Sequence, residues 1–182
     1  MTIGILLLNL IVFAVAIESD IGRRKIGPFR VFRPLVTGLV IVPFFFEGMS
    51  FSGNGLLFEI GAALVGAALG FVALTPMKFE YDVSAHRVYS RAGLVYVGGW
   101  VLITGAKIFF SYGSTDIWGR QLFTWMTAND ISIDAFRAAF IFLNVATMLA
   151  RVGSIYFRGS ATAKAAGASH HIFKKIKQTQ SA

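Results

Sequence analysis

Residues 56–75 read LLFEIGAALVGAALGFVALT, an apolar run whose only charge is Glu59. As a helix it would be about 30 Å long, the depth of a bilayer's hydrocarbon layer. The run therefore predicts a membrane span, and the rest of the chain is read with lipid as its solvent. Inside it, Ala62, Gly66 and Gly70 recur every four residues and form one face of very small side chains. Such a face lets a second helix backbone approach closely, which is what drives helix association in lipid. Glu59 lies three residues before Ala62, so its carboxylate shares this packing face.

Working outward, four more apolar runs appear. Residues 3–17 carry only Asn9 as a polar side chain and end at Glu18 and Asp20. Ala14-Val15-Ala16 imitates a signal-cleavage site, but no cation precedes the run and a basic block follows it, which favours a retained anchor. Residues 34–51 form a second span, with a kink expected from Pro43. Residues 94–112 form the fourth, and 131–157 the fifth, long enough to require tilt or protruding ends. The expected fold is an all-α transmembrane bundle of five spans over residues 1–158, followed by a basic tail, 159–182. Residues 78–91 switch to alternation and are expected to form a loop or small β-hairpin turning at Ser84 to His86.

The cations set the orientation. Of 17 Lys and Arg residues, all but Lys107, Arg120 and Arg137 fall into three blocks, at residues 23–33, 78–91 and 151–177. Short inner loops retain Lys and Arg, so these blocks mark the cytoplasmic ends of the spans. The N-terminus is then outside and the C-terminus inside, and the expected location is the inner membrane, with the lipid bilayer as the first partner. Trp118, Phe123 and Trp125 fall in an outer loop suited to an interface.

Composition narrows the function classes. The chain is 55% hydrophobic and 14% charged, with a mean hydropathy of +0.67, too apolar for an ordinary soluble domain. Its net charge of +8 sits at span edges, without the continuous basic face of a nucleic-acid reader, so attraction to anionic headgroups is the better account. No cysteine is present, which excludes a disulfide framework and dithiol chemistry by this chain.

The charges inside spans carry the functional signal. A charge at mid-membrane costs roughly 2.5–3.5 kcal/mol on insertion scales, so Glu59, Lys107 and Arg137 should face partners or water. The topology puts all three at a similar depth near the outer ends of spans three, four and five. Arg137, Asn144 and Arg151 repeat every seven residues, giving span five a polar stripe. Lys107 shares a helix face with Thr104, Trp100 and Tyr96. A cluster of Glu59, Lys107, Arg137 and Asn144 is expected to face the bundle interior. It can be a structural ion network or snorkelling cations, an outward-opening polar-ligand pocket, or the setting of a proton-coupled carboxylate at Glu59.

Other candidates have plainer expectations. His86 reads as a turn residue, and His170 and His171 lack acidic or thiol neighbours in sequence, so no metal site is expected. Asp130 and Asp134 are expected to cap the fifth span. Gly98-Gly99 lacks the basic phosphate motif that would make it a nucleotide loop. No catalytic constellation and no cofactor are expected.

The segment IGRRKIGPFRVFRPLV (21–36), the Gly/Ala-rich third span and RVYSRAGLVYVGGW (87–100) together resemble the CcdC-like family of small bacterial integral membrane proteins over about residues 20–112. That resemblance implies a setting in cytochrome c biogenesis and transfers no catalytic residue. Without cysteines, and with so few histidines, a role there would be accessory rather than thiol transfer or haem ligation. The expected function is structural or accessory, with protein partners or a homo-oligomer. The alternative is a small transporter, channel or ligand sensor with an outward-facing polar pocket.

Overall fold

A computed structural model describes residues 21–27, 32, 36, 48 and 50–167. The first expected span, most of the second with Pro43, and the tail beyond residue 167, with His170 and His171, lie outside the described residues. Among the described residues three helices are long and apolar enough to cross a membrane. Helix α1 covers Gly53–Leu74, α2 covers Leu94–Tyr112 and α4 covers Ile133–Ala165. Between the last two come a π turn at Gly113–Ile117 and a shorter helix α3, Gly119–Ala128.

Local chemistry sets the ends. Pro76 forbids α1 from continuing, and the chain closes it with a tight turn in which Thr75 N–H donates to the Val72 carbonyl at 3.1 Å. Ser132, rather than the expected Asp130 or Asp134, caps α4: its hydroxyl accepts from Ala135 N–H at 3.0 Å. Asp130 instead occupies the α3–α4 turn at φ 52°, a left-handed conformation that aspartate tolerates. Asp134 lies in the first turn of α4, where its charge complements the helix dipole. At the other end α4 passes the expected stop at Phe157 and runs on to Ala165, where Gly167 at φ 72° ends it. A 33-residue helix is about 50 Å long, longer than a hydrocarbon layer is deep.

Helices α1 and α4 pack along their length and run parallel. Gly55 lies by Ala135, Gly66 by Leu143 and Gly70 by Thr147 and Ala150. Helix α2 runs antiparallel to both. Its start is buried through Tyr96 beside Leu74 and Ile155, and its end places Phe110 on Phe140 at 5.3 Å between ring centres.

The 78–91 region forms the expected hairpin, β2 (Lys78–Asp82) and β3 (Arg87–Ala92). A third strand, β1 (Gly22–Lys25), pairs with the other side of β3, giving a sheet of order β1-β3-β2 with both pairings antiparallel. The fold is therefore mostly helical with a small sheet, rather than all-α. Val88, Ser90 and Ala92 point to one face and are buried. Val88 and Ala92 join Ile26, Leu74, Met77, Tyr96, Ile155 and Ala163 in one core, sealing the sheet onto the helix ends. A second, smaller core at the far end holds Met126, Ile131 and Ala135 beneath Phe58 and Phe136.

Candidate functional site

The expected polar residues lie on α1, α2 and α4, but each finds its own local partner. Glu59 is buried to 1% exposure, and one carboxylate oxygen accepts the Ser50 N–H at 2.8 Å. The segment before α1 thus folds back over the first turns of that helix, and Gly55 leaves room for it: a Cβ there would meet the Ser50 side chain. The second carboxylate oxygen, Oε2, is buried with no hydrogen-bond partner among the described residues.

Lys107 reaches across from α2 to α4 and donates through Nζ to Asn144 Oδ1 at 3.0 Å. Asn144 in turn donates its amide to the Phe140 carbonyl at 2.8 Å, which orients the oxygen towards the lysine. Arg137 is on α4 with its side chain 54% exposed, and its nearest described carboxylate is Asp134, 3.9 Å away and one turn earlier. Among the described residues Glu59 forms no ion pair with either cation. At this end of the molecule aromatic rings join the helices: Phe58 of α1 stacks on Phe136 of α4 at 5.9 Å, and Phe136 lies 6.3 Å from Phe110 of α2. The four polar residues therefore divide into a Lys107–Asn144 bridge, a buried Glu59 bonded to Ser50, and an Arg137 beside Asp134 of its own helix.

The small residues make the tightest interface. A Cβ on Gly66 would strike the Leu143 carbonyl, and one on Gly70 would come within 2.5 Å of the Thr147 carbonyl oxygen and 2.8 Å of Ala150 Cβ. Ala62, on the same stripe, is half-buried. Helix α4 answers with its own small face of Ala135, Ala138, Ala139, Thr147, Ala150 and Ser154, all buried. Thr147 satisfies its hydroxyl within the helix by donating to the Leu143 carbonyl at 2.6 Å. The heptad spacing of Arg137, Asn144 and Arg151 draws the eye to the polar stripe of α4, yet its alanines carry the packing.

Two arginines have roles that reading the cationic blocks as a topology signal does not disclose. Arg158 donates from Nη1 to the Leu74 carbonyl at 2.7 Å and from Nη2 to the Met77 carbonyl at 2.9 Å. It thereby binds carbonyls at and just beyond the C-terminus of α1, the Leu74 oxygen also accepting the Met77 N–H at 3.0 Å, while its guanidinium lies 4.8 Å from the Phe79 ring centre. Arg151 sits with its guanidinium 5.6 Å from the Trp100 ring centre. The available signal was positional: a basic residue at the same end of α4 as the helix stop at Thr75-Pro76 has carbonyls to meet.

On the sheet, Arg23 spans from β1 across the Tyr89 ring, 4.3 Å from its centre, to Asp82 Oδ2 at 2.6 Å. Asp82 Oδ1 also accepts from Ser84 Oγ at 2.6 Å, Ser84 N–H at 3.0 Å and Ala85 N–H at 3.1 Å, which shapes the hairpin turn. These bonds, the Ser84 hydroxyl's foremost, then Ala85 N–H and the Arg23 guanidinium, hold the Asp82 carboxyl well below the usual carboxylate range. His86 completes the turn at φ 48° and is exposed.

Among the described residues no three His, Asp or Glu side chains gather as a metal site would require. What this arrangement does chemically is fasten helices: an amine to an amide, a guanidinium to carbonyls, and glycine to backbone. Neither models of protein families, nor curated proteins, nor solved structures yield a match to this chain.

Proposed function

We propose that the chain is a five-span inner-membrane protein, N-terminus outside and C-terminus cytoplasmic, with a structural or accessory role in a membrane complex. The CcdC-like resemblance points to envelope or cytochrome biogenesis as the setting. One observation carries the reading: Lys107 bridges α2 to Asn144 of α4 and Arg158 of α4 closes the end of α1, while among the described residues no three His, Asp or Glu side chains gather. Two further features support it. Three helices have the length and apolarity of spans, and α2 directs large apolar side chains such as Leu102, 75% exposed, to its surroundings, which suits lipid or a partner helix. The alternating directions of α1, α2 and α4 also fit the odd-numbered spans entering from outside.

Two experiments test the proposal. Because the chain has no cysteine, single thiols at Ser84→Cys and Gln121→Cys report sidedness cleanly. An impermeant maleimide should label the Gln121 position on intact spheroplasts and the Ser84 position only after lysis; the reverse pattern rejects the orientation. Purification from native membranes in mild detergent should bring down a stoichiometric partner, and isolation of the chain alone would count against the accessory role.

A second reading, an outward-facing polar pocket or proton-coupled site centred on Glu59, is favoured by one observation. Its Oε2 is buried without a hydrogen-bond partner among the described residues, and such a group costs about 1–3 kcal/mol, a cost that a functional carboxylate would justify. Substitution of Glu59, argued below, separates the two readings.

A further inference from the structure

The three strands sort their charges by row. Side chains paired across an antiparallel sheet point to the same face, so the register places Arg23, Arg91 and Lys78 in one row, Lys25, Tyr89 and Glu80 in the next, and Arg87 opposite Asp82 in the last. All of them lie on the face opposite buried Val88, Ser90 and Ala92. The rows differ in acid content. The last holds Asp82 and the middle one Glu80, but the first holds three cations and no carboxylate.

Like charges directly opposite one another in a sheet are destabilising; of the two carboxylates on this face Asp82 is taken by Arg23, and Glu80, one row away, makes no ion pair with Lys78 or Arg91 among the described residues. Arg23 leaves its row, lies over Tyr89 and pairs with Asp82 in the last row. Lys78 and Arg91 stay side by side, exposed, with no ion-pair partner among the described residues. Their position along the chain gives the row its meaning. Lys78 follows the end of α1 at Leu74 by four residues, and Arg91 precedes the start of α2 at Leu94 by three. The acid-free row is the one nearest the two span ends, while the acids lie progressively further along the hairpin towards its turn. With α1 and α2 taken as spans, two cations held three or four residues beyond their ends, on a sheet fixed to the helices by its apolar face, would lie where phosphodiester headgroups lie and carry the complementary charge.

We infer that Lys78 and Arg91, side by side at the helix-proximal end of the sheet, form a docking site for the headgroup phosphate of an anionic phospholipid in the same leaflet. Arg91 supplies a planar fork for two phosphate oxygens and Lys78 a mobile point charge. The inference rests on the membrane reading above and adds to it a chemically specific lipid contact.

The test uses the full chain in a neutral detergent, offered phosphatidylglycerol and phosphatidylcholine at equal concentration, with retained lipid read by native mass spectrometry. The wild type should retain phosphatidylglycerol preferentially. The double variant Lys78→Gln/Arg91→Gln should lose that preference by about 25-fold, since each cation near an anionic surface contributes about fivefold. Arg87→Gln, in the row nearest the turn, should keep it, and so should the charge-preserving swap Lys78→Arg/Arg91→Lys. If the double variant fails to elute as a folded species, the single Arg91→Gln variant carries the comparison. Equal retention of both lipids by the wild type would overturn the inference, as would a preference that follows Arg87. Displacement of the lipid by inorganic phosphate at matched concentration, or co-purifying nucleic acid released by salt, would assign the cations to a different ligand and also overturn it. Alkaline carbonate extraction distinguishes the underlying reading: release of the chain from membranes rejects the spans themselves, whereas a retained chain without lipid preference rejects the site alone.

Discussion

Arg158 of α4 donates to the Leu74 carbonyl of α1 at 2.7 Å and to the Met77 carbonyl at 2.9 Å, so the end of one long helix is closed by a side chain from another. The two carbonyls bracket Thr75-Pro76, where the chain leaves α1 for β2. One guanidinium therefore ties α4, α1 and the sheet together, and a bidentate fork suits that task better than a point charge. Replacing Arg158 by Ala should cost about 1–3 kcal/mol, the range for a lost charge-assisted bond at a partly buried site. Arg158→Lys, able to serve one carbonyl at a time, should fall between. Thermal unfolding in detergent checks the order; equal stability of Ala and Arg at this position would reject the cap.

The α1–α4 seam predicts a contrast between two glycines of the same helix. Gly66 faces the Leu143 carbonyl so closely that a Cβ has no space, whereas a Cβ on Gly61 would meet nothing within 4 Å. Gly66→Ala should force the helices apart and destabilise by about 1–3 kcal/mol. Gly61→Ala should be neutral or stabilising by up to about 1 kcal/mol, from helix propensity alone. Introduced cysteines across the seam should cross-link less readily in the Gly66 variant and normally in the Gly61 variant.

These positions also show what was legible before the fold was known. Gly66 and Gly70 were readable because a period of four on a helix places residues on one face whatever surrounds it. The β2–β3 hairpin was readable because its alternation and its turn are local. Strand β1 was not: Arg23, Arg24 and Lys25 have no apolar alternation, and their partner strand begins at Arg87, far along the chain. Depth alone suggested that Glu59, Lys107 and Arg137 converge, but depth does not fix azimuth. At the same end of the helices the contacts that join them are aromatic, Phe58 with Phe136 and Phe136 with Phe110.

Lys107 and Asn144 should be energetically coupled, since Nζ and Oδ1 are 3.0 Å apart between α2 and α4. A double-mutant cycle with Lys107→Met and Asn144→Leu should return an interaction of about 0.5–2 kcal/mol, the range for polar contacts between membrane helices. A value within error of zero would mean that the lysine finds an equal partner elsewhere, and the bridge would lose its place in the account.

Glu59 separates a structural carboxylate from a working one. Glu59→Gln keeps an oxygen to accept the Ser50 N–H, while Glu59→Ala removes it and leaves that donor without its 2.8 Å partner. For a purely structural role, Gln should match or slightly exceed the wild type in stability, Ala should lose about 1–3 kcal/mol, and complementation should track stability. Loss of complementation by a Gln variant as stable as the wild type would transfer the assignment to a proton- or ligand-binding site.

Asp82 gives the sheet a pH dependence whose sign follows from its lowered carboxyl. The folded carboxyl holds its charge below the ordinary value, so its contribution to stability is complete above about pH 4. As the pH falls, that contribution erodes through the interval between the ordinary value and the lowered one, because the unfolded chain takes up the proton first. Ser84 contributes most to the lowering and Arg23 less. Carboxyl titration by NMR should therefore show a larger upward movement in Ser84→Ala than in Arg23→Gln. Added salt should mimic the arginine substitution and not the serine one, since screening acts on the exposed charge pair far more than on a short hydrogen bond. An Asp82 that titrates at the ordinary value in the wild type would remove the basis for the turn's acid sensitivity, and Asp82→Asn would then leave the stability profile unchanged across that interval.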